Sequence, residues 1–258
     1  MARRVRSLEA AAVWVDEAGL AVVYSSADLV LPSLWAAVGG PDADWAIRDE
    51  EGKALDFTPE FSKLWRWKDE LPERRLACSG RHLGRDAASL VSKRLLAPLY
   101  ALSGRPGKPE DFRDAELDPL EHEVAEAILE NGPCSGPEVR RLVAGEKRKV
   151  DAAIRRLHRS LVLTNAGVVE QDAGWPAIRN DLFARRWRTQ LRKLPPADEA
   201  RRILAEQALR SGGELSAADL GGVLRLRRAE ATATLDELTE LGTARTIEEE
   251  GIRLWSLR

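Results

Sequence analysis

The chain has 258 residues, of which 44% are hydrophobic and 32% are charged, and its net charge is −2. This composition is typical of a soluble globular protein, and no apolar run approaches the roughly 20 residues that a membrane span needs. The N-terminal segment contains Glu9 and Asp16, where a secretory signal would have an apolar core. We therefore expect a cytoplasmic protein without a membrane partner.

The cysteines and histidines show no spacing that indicates a catalytic or metal site. Cys78 and Cys134 lie far apart, so neither a disulfide framework nor a zinc site is predicted. His82, His122 and His158 are equally isolated, and the chain has no GxxxxGK[ST] phosphate-binding loop. We expect no metal, no cofactor and no catalytic residue.

Residues 1–113 are predicted to form a mixed α+β domain. In chain order, the predicted elements are a helix after Ser7, a strand over Leu20–Tyr24, and helices over Pro32–Val38, from Thr58 onward and over Ser89–Leu102. The helix from Thr58 has the clearest start, because a proline at its first position has no amide proton to leave unpaired. On this helix Trp65 and Trp67 point about 200° apart, so at most one of them is fully buried.

Residues 117–172 and 196–258 share a sequence pattern. The two copies are related by a constant offset, which equals the separation between Ser135 and Ser216. Each of these serines precedes an acidic residue by three positions, which is a helix N-cap signature. The same offset makes five apolar positions correspond: Val139 to Leu220, Leu142 to Val223, Val150 to Ala231, Ile154 to Leu235 and Leu157 to Leu238. The sequence thus predicts a repeated structural module.

Each copy is predicted to contain three helices followed by a β-hairpin, which is the arrangement of a winged helix. The first and third helices are expected over residues 119–131 and 146–160 in one copy, and 198–211 and 227–241 in the other. The hairpin strands are expected at 161–164 and 168–170, and at 244–247 and 252–255. Residues 173–195 are interpreted as a basic linker helix. The predicted fold class is α+β, mostly helical, with tandem winged-helix modules after the N-terminal domain.

The central part of the chain is strongly basic. Residues 138–193 hold 14 Lys and Arg against 6 Asp and Glu, whereas the flanking segments are acidic. Such asymmetry places a positive field on one part of the surface. We predict that double-stranded DNA binds to basic residues of the first module's third helix and of the linker: Lys147, Arg148, Lys149, Arg155, Arg156, Arg159, Arg185, Arg186 and Arg188. The alternative is a solvated face in an arginine-rich protein.

The second module is less basic where nucleic acid would lie. Glu248, Glu249 and Glu250 stand at its hairpin turn, and acids there would repel phosphate. This pattern favours a role in packing, dimerisation or binding a protein partner.

Several segments resemble the AlkZ-related winged-helix proteins of bacteria, relatives of the AlkZ/YcaQ-type DNA glycosylases. The resemblance is carried by RVRSL at 4–8, LVLPSLWAAVGGP, WKDELP at 67–72, SLVSKRLLAPLYALSG, GPCSGPEVRRLVAG and GWPAIRNDLF. It implies tandem winged helices and an association with DNA.

Members of that family with glycosylase activity are expected to use a glutamine-any-glutamine or glutamine-any-aspartate motif to position water. The matching place lies near Leu20–Ser25, which contains neither residue type. Because hydrolysis of a glycosidic bond needs a polar group to activate water, we predict non-catalytic DNA binding. Two alternatives stay open: a glycosylase that uses Asp28 or Asp69, and a protein-interaction scaffold built from winged helices.

Overall fold

The computed structural model describes residues 4–25, 29–84, 86–172 and 174–258. Its mixed helices and small antiparallel sheets confirm the predicted α+β class. Asp28, one of the two carboxylates considered for catalysis, lies outside the described residues. Within the described ranges, no helix has the length and apolar character needed to cross a bilayer.

The N-terminal region combines four helices with two small sheets. Its elements are α1 (Leu8–Ala18), β1 (Leu20–Val22), α2 (Leu34–Val38), β2 (Ala46–Arg48), β3 (Ala54–Phe57), α3 (Pro59–Glu73), β4 (Cys78–Gly80), β5 (Ser89–Val91) and α4 (Leu96–Ala101). The side chains of Ser7 and Thr58 cap α1 and α3, which confirms both predicted helix starts. One sheet has the strand order β1-β5-β4, and β2 pairs with β3 in the other.

The first helix-and-sheet unit follows a short connection. It contains α5 (Pro119–Asn131), β6 (Cys134–Ser135), α6 (Gly136–Leu142), α7 (Lys147–Arg159), β7 (Leu163–Val169) and β8 (Ala177–Leu182). Its sheet has the order β6-β8-β7. Val150, Ala153 and Leu157 bury one side of α7 against the core of this unit. The opposite side of α7 is therefore left to solvent.

The second helix-and-sheet unit has the same succession of elements. It contains α9 (Ala197–Gly212), β9 (Leu215–Ser216), α10 (Ala217–Leu224), α11 (Arg228–Glu240), β10 (Ala244–Glu249) and β11 (Ile252–Leu257), preceded by the single-turn α8 (Phe183–Arg186). Its sheet has the order β10-β11-β9. Ser135 and Ser216 cap α6 and α10 as predicted, and each forms a capping box with the acidic residue three positions later.

The predicted linker helix at 173–195 is wrong. Residues 177–182 form β8, the partner of β7, and they are followed by α8 and a 3₁₀ turn at Gln190–Arg192. The predicted hairpin turn at 165–167 instead lies within β7, as a bulge between Asn165 and Val168. There Asn165 Oδ1 accepts a hydrogen bond from the Gly167 amide, and Gly167 takes a φ of 106° that favours glycine.

The predicted helix over Ser89–Leu102 is also only partly correct. Ser89–Val91 forms β5, which lies between β1 and β4, and only Leu96–Ala101 is α-helical. Leu90 and Val91 are fully buried in that sheet, so strand pairing overrides the local helical pattern.

The second unit does not stand apart from the N-terminal region. Leu20 and Val91 share one hydrophobic core with Phe183, Trp187 and Leu204. The first unit has a separate core. Because these shared side chains are fully or almost fully buried, pulling the second unit away from the N-terminal region would expose a large apolar surface.

Candidate nucleic-acid-binding cleft

A cleft of about 440 Å³ lies between the N-terminal region and the first helix-and-sheet unit. We call it the cleft and define it by three sets of lining residues. These are Lys68, Asp69 and Arg81 from the N-terminal region, Asp151, Arg155 and His158 from α7, and Asn165, Pro176, Ala177, Ile178 and Asn180 from β7, β8 and their connection. The cleft thus combines cationic, acidic, amide and apolar groups.

The exposed side of α7 carries four of the predicted DNA-binding residues. Lys147, Arg148, Arg155 and Arg159 are all solvent-exposed, and none has an ion pair with a described residue. Arg148, Arg155 and Arg159 are spaced by seven and four residues, so they follow one line along the helix. Arg155 also lines the cleft. We call these four residues the cationic stripe, and Arg155 is its member that reaches the cleft.

Two further predicted residues of α7 are paired with acids. Arg156 forms ion pairs with Glu121 and, at 2.6 Å, with Asp118, the residues that form the capping box of α5. Lys149 Nζ lies 3.5 Å from a carboxylate oxygen of Glu146. The hydrogen bond from Arg156 to Glu121 raises the pKa of Arg156, as expected for a guanidinium whose charge is already compensated. These two side chains add little to the cationic stripe.

The residues of the predicted linker fall into different surroundings. Arg185 pairs with Asp181 at 2.7 Å and donates to the carbonyl oxygens of Ile128 and Leu129 at the end of α5. Arg186 is buried and donates to the carbonyls at the end of α3, and this burial lowers its pKa. Of the three predicted DNA-binding residues in this segment, only Arg188 is exposed. The guanidinium groups of Arg185 and Arg186 thus contact backbone carbonyls inside the fold, because residues 177–186 do not form the expected exposed helix.

The N-terminal wall of the cleft holds an ion pair that sequence spacing did not indicate. Lys68 Nζ and Asp69 Oδ2 lie 2.7 Å apart, and the two side chains are only 17% and 14% exposed. The nearby Tyr24 hydroxyl is buried without a hydrogen-bond partner among the described residues. Burial and the Asp69 charge raise the pKa of Tyr24 to about 12, so its hydroxyl stays protonated.

A family model described as AlkZ related matches residues 5–223, which is most of the chain. This chain belongs to the AlkZ-related family. No curated protein matches it. Among solved structures, this AlkZ-related chain is similar to the DNA glycosylase AlkZ of Streptomyces sahachiroi, with 15% identity and a TM-score of 0.56. The likeness covers 96% of this chain and 64% of that one, so the chain spans less than two thirds of the glycosylase.

A second solved structure, the DIP2311 protein from Corynebacterium diphtheriae, shows 18% identity over 79% of this AlkZ-related chain and 40% of that protein. Its TM-score is 0.24, too low to inform the fold. The similarity to the glycosylase supports a shared fold.

In this AlkZ-related chain, the segment Leu20–Ser25 reaches the cleft through Val23, whose side chain is apolar and buried. Ser25 Oγ lies 2.9 Å from Ser33 Oγ, so this hydroxyl is engaged within the N-terminal region. The segment thus supplies no carboxylate or amide to the cleft. Among the described residues, the carboxylates that line the cleft are Asp69, paired with Lys68, and Asp151, paired with Arg140 at 2.6 Å.

Two histidines that are remote in sequence meet beside the cleft. His82 and His158 are buried in stacked contact, and His158 lines the cleft. Burial lowers the pKa of His82 to about 3 and that of His158 to about 4, so both rings are neutral at pH 7. The sequence carries no signal for this pair, because the two positions lie far apart in the chain and each looks isolated.

Proposed function

We propose that this AlkZ-related chain binds double-stranded DNA and does not excise bases. The observation that carries this proposal is the cationic stripe of α7: its four exposed side chains have no ion pair with a described residue, and one of them, Arg155, lines the cleft. Unpaired arginines on a helix surface suit contacts with DNA phosphates, and the release of counterions from the duplex favours binding. The family relationship and the structural similarity to a DNA glycosylase support DNA as the partner.

We interpret both helix-and-sheet units as tandem winged helices. In each, three helices precede an antiparallel hairpin, and a two-residue strand before the second helix joins the same sheet. The second helices begin at Gly136 and Ala217 and the third helices at Lys147 and Arg228, so one constant offset relates both pairs. In this interpretation α7 is the recognition helix of the first module, and this helix lies on DNA. Lys147 and Arg148 stand at the N-terminal end of α7.

The second unit has a packing role in this proposal. The Arg225 guanidinium donates hydrogen bonds to the carbonyl oxygens of Arg81, Gly84 and Arg159, and thereby links α10 to the N-terminal region and to the end of α7. Its hairpin carries the exposed residues Glu248, Glu249 and Glu250. If this unit also binds a partner, we expect a basic protein surface rather than DNA.

Fluorescence anisotropy of a labelled DNA duplex, titrated with protein over a series of salt concentrations, tests DNA binding. The variant Arg155→Ala removes one unpaired cation of the stripe, and Arg156→Ala is its matched control on the same helix. Each phosphate contact contributes a slope of about −0.9 to the dependence of log K on log salt. We expect Arg155→Ala to reduce the magnitude of this slope by about 0.9, the contribution of one phosphate contact, and Arg156→Ala to leave the slope nearly unchanged. Affinity that does not depend on salt, or equal effects of both variants, would contradict the proposal.

A second candidate function is base excision, which the position of Asp69 in the wall of the cleft favours. A carboxylate can activate water, although Lys68 compensates the charge of Asp69 in this structure. Incubation with DNA that contains alkylated bases, followed by quantification of abasic sites, distinguishes the two functions. Abasic sites that the protein forms and that Asp69→Asn abolishes would support excision, and absence of product supports binding alone.

A further inference from the structure

An exposed row of aromatic rings lies beside the cleft. We call it the aromatic row and define it by Trp45, Phe57, Trp65 and Trp175. Trp175, in the connection between β7 and β8, is 64% exposed, and Trp45 at the opposite end is 42% exposed. Trp65 and Phe57 lie between them and are half-buried. Large aromatic side chains with this exposure are candidates for contact with a ligand.

The four rings contact one another in succession. Trp175 meets Trp65 edge to face at a centroid distance of 5.2 Å, Trp65 stacks on Phe57 at 6.2 Å, and Phe57 meets Trp45 at 5.9 Å. Distances of this size are typical of favourable aromatic pairs. The Trp175 ring is therefore held in place by its neighbours, while much of its surface is open to solvent.

The Trp175 end of the aromatic row adjoins the cleft in two ways. Trp175 directly precedes Pro176, Ala177 and Ile178, which line the cleft. On the other side, the Lys68 ammonium lies 4.2 Å from the ring centroid of Trp65 and also lines the cleft. The cleft thus has aromatic surface at its margin and Arg155, without an ion pair to a described residue, in its wall.

We propose that the cleft and Trp175 take an unpaired nucleotide of DNA, with its base stacked on Trp175 and its phosphate beside Arg155. This inference rests on the proposed function. It narrows the proposed DNA partner from any duplex to a duplex that contains an unpaired nucleotide. A cationic groove next to aromatic rings is the combination that binds unpaired nucleotides, because every base has a face that stacks on an indole. A fully paired duplex keeps its bases stacked on each other and cannot use Trp175 in this way.

The opposite end of the aromatic row is unsuited to a nucleotide. The Arg48 guanidinium lies over the Trp45 ring, 5.5 Å from its centroid, and pairs with Asp44. Asp44 compensates the charge of Arg48, whereas Arg155 in the cleft has no ion pair with a described residue. We therefore expect Trp175, and not Trp45, to contact the nucleotide.

Anisotropy titrations of the full chain with two labelled duplexes, identical except for one unpaired nucleotide in the second, test this inference. The variants are Trp175→Ala, which removes the stacking surface, and Trp175→Phe, which retains an aromatic ring. Trp45→Ala is the matched control, since it removes an exposed tryptophan from the far end of the same row. Thermal unfolding of each variant, compared with the unchanged protein, verifies that the fold is retained.

We expect the unchanged protein to bind the duplex with the unpaired nucleotide about tenfold more tightly, a ratio within the range of one base stacked on an aromatic side chain. Trp175→Ala is expected to reduce this ratio to about one without weakening the paired duplex, while Trp175→Phe and Trp45→Ala largely retain it. Equal binding of both duplexes by the unchanged protein, or a preference that survives Trp175→Ala, overturns the inference and leaves DNA binding intact. Failure to bind either duplex overturns the proposed function as well.

Discussion

His82 and His158 stack with their ring centroids 5.8 Å apart and their planes inclined by 28°. His82 Nδ1 donates to the backbone carbonyl of His158, and His158 Nε2 donates to Asn180 Oδ1. The orientation of Asn180 follows from its Nδ2, which donates to the carbonyl oxygen of Cys134. The two remaining ring nitrogens are buried acceptors without a hydrogen-bond partner among the described residues. The pair thus connects the segment after β4 to α7 and β8 in its doubly neutral form.

This histidine pair predicts that the protein loses stability in mild acid. Each folded pKa lies below the ordinary histidine value of 6.5, so the unfolded chain takes up protons first as the pH falls. The free energy of unfolding is expected to fall below about pH 6.5 and to keep falling towards pH 4. Urea unfolding between pH 7.5 and 5.5, above the range in which most carboxylates titrate, measures this. A free energy that is constant over this interval would show that the rings are not held neutral.

Gly80 is expected to be essential for the contact between the two rings. A Cβ atom at this position would overlap His82 Nε2 and lie 2.8 Å from His158 Nδ1, closer than packed atoms approach. We expect Gly80→Ala to destabilise the fold by about 1–3 kcal/mol, because both rings are confined by burial. Gly222→Ala is the control, since outside the backbone of α10 no described atom lies within 4 Å of its added Cβ, and it is expected to be neutral or stabilising. Similar free energies of unfolding for the two variants would contradict this account.

Elements with strong local signals were predicted well from the sequence. The third helices of both units lie within one residue of their predicted bounds at each end, since apolar spacing along a helix acts over a few residues. The strand at Ser89–Val91 was missed because its stability comes from β1 and β4, which are distant in sequence. Local patterns cannot report such pairing.

The candidate site was only partly predictable for the same reason. The exposed stripe of α7 follows from helical spacing, and at sequence level Arg155 and Arg156 look equivalent. They differ in structure because Asp118 and Glu121, which belong to α5 and lie well before α7 in the chain, meet only Arg156. The position of Asp69 in the cleft likewise depends on how α3 packs against the first unit. Tertiary contacts of this kind are not encoded in spacing along one helix.

Arg186 is predicted to stabilise the fold rather than to contact DNA. Its guanidinium donates to the carbonyl oxygens of Pro72 and Glu73, and it thereby joins α8 to the end of α3. Removal of the buried guanidinium deletes both hydrogen bonds, so we expect Arg186→Ala to lower the free energy of unfolding by about 1–3 kcal/mol. Arg188→Ala, at an exposed position two residues later, is expected to change it by less than about 0.5 kcal/mol. Urea unfolding of both variants decides, and equal effects would refute a structural role.

Arg225 provides a test of how the second unit is attached to the rest of the molecule. Its backbone has a φ of 57° and a ψ of 36°, a left-handed conformation that is unfavourable for residues with a Cβ, while its side chain donates to three backbone carbonyls of other elements. Both Arg225→Ala and Arg225→Gly remove these hydrogen bonds, but only glycine also relieves the backbone conformation. We expect both variants to be destabilised, with Arg225→Gly more stable than Arg225→Ala by about 1 kcal/mol. The difference is measured by urea unfolding of the full chain. If Arg225→Ala is as stable as the unchanged protein, the three hydrogen bonds do not hold the second unit against α7, and its attachment rests on the shared hydrophobic core alone.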